Sequence, residues 1–141
     1  EERQGIKDIF SDDLLPAFDR LAADNGVAAV CGDINIAHTE RDIHAPKRNS
    51  KNSGFLPHER EWMSRLLDRG WIDLWRQFNP DAQEYTWWSN RGQARAKDRG
   101  WRIDYVLVTP ALAERATACW IEGREPALSD HCAIHATFQR A

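Results

Sequence analysis

Three apolar runs of this chain each border polar side chains that can carry chemistry. Residues 27–31 lead into Gly32-Asp33-Ile34-Asn35, residues 101–103 lead into Asp104, and Ser129-Asp130-His131 precedes the run that ends at Phe138. Short apolar runs of this kind are typical of buried strands. Folded chains rarely place carboxylates, an amide and an imidazole at several strand ends unless those groups meet. The pattern therefore predicts sheet strands whose ends converge on one polar site.

The size and composition of the chain are those of one globular domain. It has 141 residues, of which 42% are hydrophobic and 29% are charged. No apolar stretch approaches the roughly 20 residues of a membrane span and no signal peptide is visible, so we expect no membrane contact. The chain starts without Met and reads as helix from its first residues, which leads us to expect a missing upstream part.

The three cysteines, Cys31, Cys119 and Cys132, lie in apolar segments and form no CxxC pair. An odd number without that spacing argues against a disulfide framework and against a zinc site. We therefore expect three buried free thiols.

Charge is distributed unevenly along the chain, although the net charge is only −3. Residues 1–24 carry seven acidic side chains against three basic ones. Residues 41–51 and 91–102 are each basic, with a single acid apiece. Two basic segments on an acidic body suit a polyanion-binding face. Each segment taken alone is more typical of a solvated loop.

The pattern of apolar residues predicts a mixed order of helices and strands. Helical spacing over residues 6–21 predicts an opening helix, which Pro16 kinks or restarts. Residues 37–56 lack periodicity and read as a long loop, after which Pro57 begins a second helix that ends at Gly70. Residues 73–78 predict a helical turn, and residues 85–88, 101–109, 115–121 and 132–138 predict strands. The result is an α/β layout with sheet buried under helices.

The polar groups at the strand ends suit phosphodiester hydrolysis with a metal ion. Asp33 can orient or deprotonate a water, and Asn35, two residues on in an extended backbone, can donate to a phosphate oxygen. Asp130 offers a hard oxygen ligand for Mg²⁺. Asp104 can orient the imidazole of His131, which can reach phosphate. The alternative is that Asp-X-Asn is a turn pair and that Ser-Asp-His only starts a strand.

These motifs, in this order, resemble those of the exonuclease III-type apurinic/apyrimidinic endonucleases. Residues 32–38 resemble that family's GD-x-N motif, residues 129–132 its closing SDH motif and residues 100–105 its G-x-R-aliphatic-D strand. Residues 73–77 with 85–88 are similar to a third signature, and residues 49–60 to its DNA-facing loop and the following helix. The resemblance runs from about residue 3 to the C-terminus.

The resemblance implies a fold, an activity and a partner. The fold is of the α+β (α/β) class, a four-layer αββα sandwich of the DNase I-like type. Residues 1–141 would form the C-terminal part of a single endonuclease/exonuclease/phosphatase domain. The activity is incision of double-stranded DNA 5′ to abasic sites with Mg²⁺ or Mn²⁺, together with 3′→5′ exonuclease and 3′-phosphodiesterase activity. The implied protein is a cytoplasmic monomer, associated with the nucleoid in a bacterium.

The resemblance also implies roles for the polar residues. Asp33 matches the acid/base for water, Asn35 the transition-state stabiliser, and Asp104 the partner of the catalytic His131. Asp130 matches a metal ligand, and some assignments within the family also place metal at Asp33 and Asn35.

The DNA-binding residues that the resemblance implies come from three segments. Asn49, Lys51 and Asn52 lie in the loop that contacts the DNA backbone, and Arg91 matches a side chain inserted into the duplex. Trp87, Trp101 and Ile103 match an apolar pocket for the flipped abasic sugar, which extrudes cheaply because it carries no base. The other tryptophans singled out, Trp62, Trp71 and Trp75, are expected to be core residues.

Some features depart from the family pattern. Asp98 stands where Asn is common, and Leu74-Trp75 replaces a hydroxyl-aromatic pair. The first half of the family domain, with a metal-binding Glu, is missing, so we expect the 141 residues alone to be inactive. Two alternatives stay open: a non-catalytic DNA-binding fragment, and a phosphatase of the same superfamily.

Overall fold

The structure is a computed structural model that describes residues 2–122 and 128–140. Within these residues the helices are α1 (Glu2–Asn25), α2 (Pro46–Asn49), α3 (Pro57–Asp68), α4 (Leu74–Phe78) and α5 (Pro110–Ala113), with a 3₁₀ turn at Glu40–Asp42. The strands are β1 (Ala29–Asp33), β2 (Ile72–Asp73), β3 (Asp104–Val108), β4 (Ala116–Glu122) and β5 (Ala133–Phe138).

Strand β3 is the centre of a three-stranded antiparallel sheet with the order β1-β3-β2. Its register with β1 pairs Val108 with Ala29 at one end and Asp104 with Asp33 at the other. Residues paired across antiparallel strands are direct neighbours. The register therefore sets the two carboxylates side by side at one end of the sheet.

Alternate residues of β3 belong to two different cores, as the two-residue period of a strand requires. Tyr105 and Leu107 are buried in one cluster with residues of α1 and α3. Val106 and Val108 are buried in another cluster with residues of β4 and β5. The central strand is thus covered on both faces.

Helices α1 and α3 cover the first face of this sheet. Leu15 and Phe18 of α1 meet Trp62 and Leu66 of α3. The Phe18 ring also lies edge-on to Trp71, with ring centroids 4.9 Å apart. Trp62 and Trp71, both predicted to be core residues, are 4% and 3% exposed.

The second face is covered by the two-stranded antiparallel sheet β4-β5. Cys119 of β4 is buried beside Val106 and Val108, and Ile134 of β5 packs against the same cluster. Trp75 of α4 completes it at 1% exposure, as predicted for a core tryptophan. The described residues therefore stack helix, sheet and sheet, which are three layers of the expected αββα sandwich.

A buried ionic network ties the segment before α2 to the sheet. The Arg102 side chain is 1% exposed, and its guanidinium donates to Asp42 at 2.7 Å and to Asp73 at 2.6 Å. Arg76 donates to the same Asp42 oxygen at 2.7 Å. Burial alone would raise the pKa of Asp42, but the charge and hydrogen bonds of Arg102 and the hydrogen bonds of Thr39 lower it to about 2. A charge buried this deeply is stable only with such partners.

Three of the predicted strands differ from the structure. The buried strand expected over residues 27–31 is observed as β1 at Ala29–Asp33, and most of its residues are exposed. Residues 85–88 form no strand, because Trp87 pairs only at single bridges with Trp101 and His131. The strand predicted over residues 101–109 begins only at Asp104, since Trp101 is held by isolated bridges to Trp87 and Ile43. The last two strands are observed within a residue of their predicted bounds.

Other expectations are corrected. The predicted loop over residues 37–56 contains α2 and the 3₁₀ turn, and α1 continues through Pro16 without ending there. Cys119 and Cys132 are buried free thiols as expected, but Cys31 is exposed. Among the described residues β1 pairs only with β3, which leaves its other edge uncovered. None of the described helices has the length and apolar character needed to cross a membrane.

Candidate active site

Asp33, Asp104 and His131 meet at the end of the sheet, although they lie up to nearly a hundred residues apart in the chain. The β1–β3 register aligns the two aspartates, and a backbone bridge to Trp87 brings in His131. One ligand atom from each of the three lies within 4.8 Å of the others. The predicted convergence of strand ends is therefore present in the structure.

Asp104 fixes the orientation of the His131 ring. The Nδ1 atom of His131 lies 3.0 Å and 3.2 Å from the two carboxylate oxygens of Asp104. This contact assigns Nδ1 as the proton-bearing nitrogen, because a carboxylate accepts. The ring also lies near Trp87, with centroids 6.4 Å apart. The other ring nitrogen, Nε2, has no hydrogen-bond partner among the described residues and is available to a ligand.

Asn35 holds both oxygens of Asp33. Its backbone N–H donates to Oδ1 and its side-chain amide donates to Oδ2, each at 2.8 Å. The expectation of an extended backbone through Asn35 is wrong, because its φ is 58°, in the left-handed region that Asn tolerates. The two side chains still meet, since this turn folds the amide back over the carboxylate.

Opposing influences act on the Asp33 carboxyl. Partial burial raises its pKa, and the nearby Asp104 carboxylate raises it further. The hydrogen bonds from Asn35 and the charge of His131 act in the other direction, but the pKa stays above its ordinary value. The pair of aspartates therefore forms a site where negative charge is concentrated and only partly compensated.

Asp130 stands apart from that cluster. Its Oδ2 accepts a hydrogen bond from Trp87 Nε1 at 3.1 Å, and this bond lowers the pKa of Asp130. Asp130 is adjacent to His131 in the chain but is not one of the three groups whose ligand atoms converge. Of the expected metal ligands Asp33, Asn35 and Asp130, the structure brings together the first two and leaves the third beside them.

The chemistry of the cluster fits a divalent cation. Asp33 and Asp104 present hard carboxylate oxygens, the type of ligand that Mg²⁺ and Mn²⁺ take. The two carboxylates repel each other, and burial together with the charge of Asp104 raises the pKa of Asp33. A cation between them would relieve that repulsion and favour the charged form of both groups.

A cavity of about 380 Å³ opens beside the cluster. It is lined by the three residues predicted to form an apolar pocket and by residues of two loops: Trp87, Trp101, Ile103, Asn35, Asn52, Ser53, Gly54 and His131. The Trp87 and Trp101 rings lie edge to face, with centroids 6.2 Å apart. The cavity therefore joins an aromatic wall to the predicted catalytic residues.

Gly54 sits where a side chain would close part of this cavity. A Cβ atom there would lie 3.0 Å from the Trp101 ring and 3.1 Å from the backbone oxygen of Asn35. Its φ of 92° is also one that glycine adopts without strain. This position therefore requires glycine on both counts.

The remaining predicted DNA-binding residues lie on the surface near the cavity. Asn52 lines the cavity and donates to Asn49 Oδ1 at 2.8 Å, while the Asn49 amide donates to the backbone oxygens of His44 and Ala45. Lys51 and Arg91 are exposed but do not line it.

The sequence analysis did not predict the hydrogen bonds and the ion pair of Glu59 that hold the loop of this site. The buried Glu59 of α3 accepts from the backbone N–H groups of Gly54 at 2.6 Å and Leu56 at 2.9 Å. It also pairs with Lys7 of α1 at 2.6 Å, and Lys7 donates to the backbone oxygen of Asn35 at 2.9 Å. The sequence feature that could have predicted this contact is Glu59, three residues after Leu56 at the start of α3. A side chain at that position can reach back to the chain before the helix.

Comparison with known proteins places the chain in a family. Its sequence matches the Endonuclease/Exonuclease/phosphatase family over residues 2–131. It is 42% identical over 106 residues to an exodeoxyribonuclease of Bacillus subtilis (strain 168), covering 74% of this chain and 42% of that protein. It is also 42% identical over 105 residues to a DNA-(apurinic or apyrimidinic site) endonuclease of Dictyostelium discoideum, covering 74% of this chain and 29% of that one.

A solved structure gives the same result. The 3′ phosphatase NExo from Neisseria, bound to a product DNA hairpin, superposes with a TM-score of 0.94 at 29% identity. The match covers 99% of this chain and 56% of that protein, so the chain spans about half the length of such relatives or less. With the sequence match covering nearly all its residues, the chain belongs to the endonuclease/exonuclease/phosphatase family.

Proposed function

We propose that this chain carries part of the active site of a metal-dependent DNA repair phosphodiesterase that cuts double-stranded DNA 5′ to abasic sites. The observation that carries the proposal is the meeting of Asp33, Asn35, Asp104 and His131 at the wall of a cavity lined by Trp87 and Trp101. The names of the relatives, an exodeoxyribonuclease and an apurinic or apyrimidinic site endonuclease, support the same reaction class.

The proposed reaction adds water to phosphorus and breaks the P–O3′ bond on the 5′ side of the abasic nucleotide. Asp33 accepts a proton from the attacking water. Asn35 keeps that carboxylate in place. His131, held by Asp104 and protonated on both ring nitrogens in this step, donates its Nε2–H to a phosphoryl oxygen. The departing O3′ takes a proton from solvent. Asp33 and Asp104, with Asp130 beside them, would hold a divalent cation, Mg²⁺ or Mn²⁺, which would supply positive charge against the phosphoryl oxygens.

Selection for the abasic nucleotide follows from the shape of the cavity. A sugar without a base costs less to extrude from the duplex than a complete nucleotide. The walls formed by Trp87, Trp101 and Ile103 accept the apolar face of that sugar. Asn49, Lys51 and Asn52 contact the DNA backbone in this proposal, and Arg91 enters the duplex. The same site supports 3′→5′ exonuclease and 3′-phosphodiesterase activity on strand ends.

We propose that the site works within a longer protein, as a monomer in the cytoplasm or at a bacterial nucleoid. One edge of β1 is uncovered among the described residues, and the side chains of Ile6, Ile9 and Phe10 on α1 are more than 60% exposed. Apolar surface and unpaired strand edges of this kind call for a partner element. The 141 residues alone are expected to be inactive, since few protein ligands reach the cation.

The test is incision of a duplex that carries one stable abasic analogue. The full-length protein should nick it with Mg²⁺ and stop on addition of EDTA, whereas the 141 residues alone should not nick it. Asp33→Ala and His131→Ala should each lower kcat at least about 100-fold with little loss of DNA binding.

His135→Ala is the matched control, because this histidine stacks on Trp120 outside the site. Near-normal turnover in either site variant would contradict the assigned roles. DNA binding without metal-dependent nicking would favour the non-catalytic alternative, and release of phosphate from small esters without nicking would favour the phosphatase.

A further inference from the structure

A second cavity of about 380 Å³ borders the first at Trp101. Its lining consists of His44, Ala45, Arg48, Asn49, Asn52, Arg99 and Trp101. Trp101 and Asn52 line both cavities. Anything held in the second cavity is therefore an immediate neighbour of what the first one holds.

The lining of this cavity is cationic and contains no acidic residue. Arg48 and Arg99 are exposed and form no ion pair among the described residues. By contrast, the exposed Arg65 pairs with Asp12 and the exposed Arg69 pairs with Asp19. Two uncommitted guanidinium groups beside a cavity are suited to a phosphate, because each offers paired N–H donors in a planar fork.

Hydrogen bonds hold together the backbone segments around the cavity. The N–H of His44 donates to the oxygen of Gly100 at 2.9 Å, which ties the loop of Arg48 to the segment of Arg99. The Asn49 side chain donates to the backbone oxygens of His44 and Ala45, and the latter residue has a left-handed φ of 51°. The Asn49 amide already donates within the loop, and the guanidinium groups of Arg48 and Arg99 add charged donors for a ligand.

We propose that this cavity binds a backbone phosphate of the DNA strand next to the extruded abasic sugar, through Arg48 and Arg99. The inference rests on the proposed function and deepens it, because it names the two residues that set the position of the strand relative to the pocket. The phosphate is held whether or not the neighbouring nucleotide carries a base. Arg48 and Arg99 therefore contribute to affinity for undamaged and abasic duplexes alike.

The test compares two double variants of the full-length protein in DNA-binding titrations over a range of salt concentrations. Arg48→Ala/Arg99→Ala should weaken binding to both duplexes about equally, and should reduce the slope of log K against log salt by about one, the value for one lost phosphate contact. Lys47→Ala/Lys97→Ala removes the same charge from the same two segments but from residues that do not line the cavity, and should change the slope by less than half as much.

A second measurement keeps the test decisive if a variant proves unstable. Ethylation of the phosphate next to the abasic analogue should weaken binding of the parent protein more than binding of an Arg48→Lys/Arg99→Lys variant, which keeps the charge but loses the fork. Equal losses from both alanine pairs, or indifference of the parent to ethylation, would overturn the inference. Failure of the parent protein to nick the abasic duplex with Mg²⁺ would instead overturn the proposed function.

Discussion

Asn35 reaches Asp33 by a turn of the backbone. The chain leaves β1 at Asp33, and Asn35 adopts a φ of 58° that few residues other than Gly, Asn and Asp visit without cost. Its backbone and amide donors then occupy both carboxylate oxygens. The residue type at position 35 therefore serves two purposes, the conformation of the turn and the placement of the Asp33 carboxylate.

Substitution of Asn35 separates these two purposes. Asn35→Gly deletes the amide and keeps the conformation, so we expect kcat to fall by about 100-fold or more, as for loss of a donor in a catalytic site. Asn35→Ala should lose the same activity and also about 1 kcal/mol of stability relative to the Gly variant, because of its Cβ. Urea denaturation and single-turnover incision measure the two effects. Equal stability of the two variants would contradict the role of the turn.

The element that shapes the pocket is the start of α3. Glu59 sits in the first turn of that helix and accepts from Gly54 and Leu56, so it orders the loop that lines the cavity. Through Lys7 the same carboxylate connects α1 to the backbone of Asn35. The buried Glu59 therefore connects α1, α3 and the loop that lines the cavity.

The variant Glu59→Gln tests this arrangement. It removes the charge on which Lys7 and two backbone donors depend, so we expect a loss of about 1–3 kcal/mol in the free energy of unfolding. The KM for abasic DNA should rise because the loop is less ordered. Glu61→Gln, on the exposed side of the same helix, is the control and should change stability by less than about 0.5 kcal/mol. A Glu59 variant that unfolds at the same urea concentration as the parent would refute the role.

At the scale of the whole molecule, the buried network of Asp42 and Arg102 links stability to pH. The folded state lowers the pKa of Asp42 to about 2, below its ordinary value of 3.8. The stability that comes from this shift is present above about pH 4 and is lost as the pH falls through about 2. This contribution to stability is about 2 kcal/mol, because a change of one in pKa corresponds to about 1.36 kcal/mol.

Asp42→Asn should therefore cost about 3–5 kcal/mol at neutral pH, because it leaves Arg102 without a buried counter-charge. The difference between variant and parent should narrow by about 2 kcal/mol as the pH is lowered towards 2, where the parent also loses this charge. Denaturant titrations at several pH values measure the difference. Asp81→Asn, at an exposed pair with Arg41, should cost less than 1 kcal/mol. A difference that stays constant with pH would contradict the assignment.

Periodicity and polar residues at strand ends predicted much of this molecule. The helix beginning at Pro57, the strand ending at Phe138 and the meeting of Asp33 with His131 follow from local pattern and motif order. Contacts between segments that are distant in the chain leave no local pattern in the sequence from which they could be predicted. The pairing of Lys7 with Glu59 joins residues 52 positions apart, and Trp87 pairs at single points without forming a strand.

The exposure of Cys31 has a practical consequence. It lies on β1, two residues before Asp33, while Cys119 and Cys132 are buried. Partial burial raises the pKa of the Cys31 thiol, so it stays protonated at neutral pH and its alkylation is slow but selective. A thiol reagent should therefore label one cysteine of this chain at mildly alkaline pH. Loss of that labelling in a longer form of the protein would show that a neighbouring strand has covered the free edge of β1.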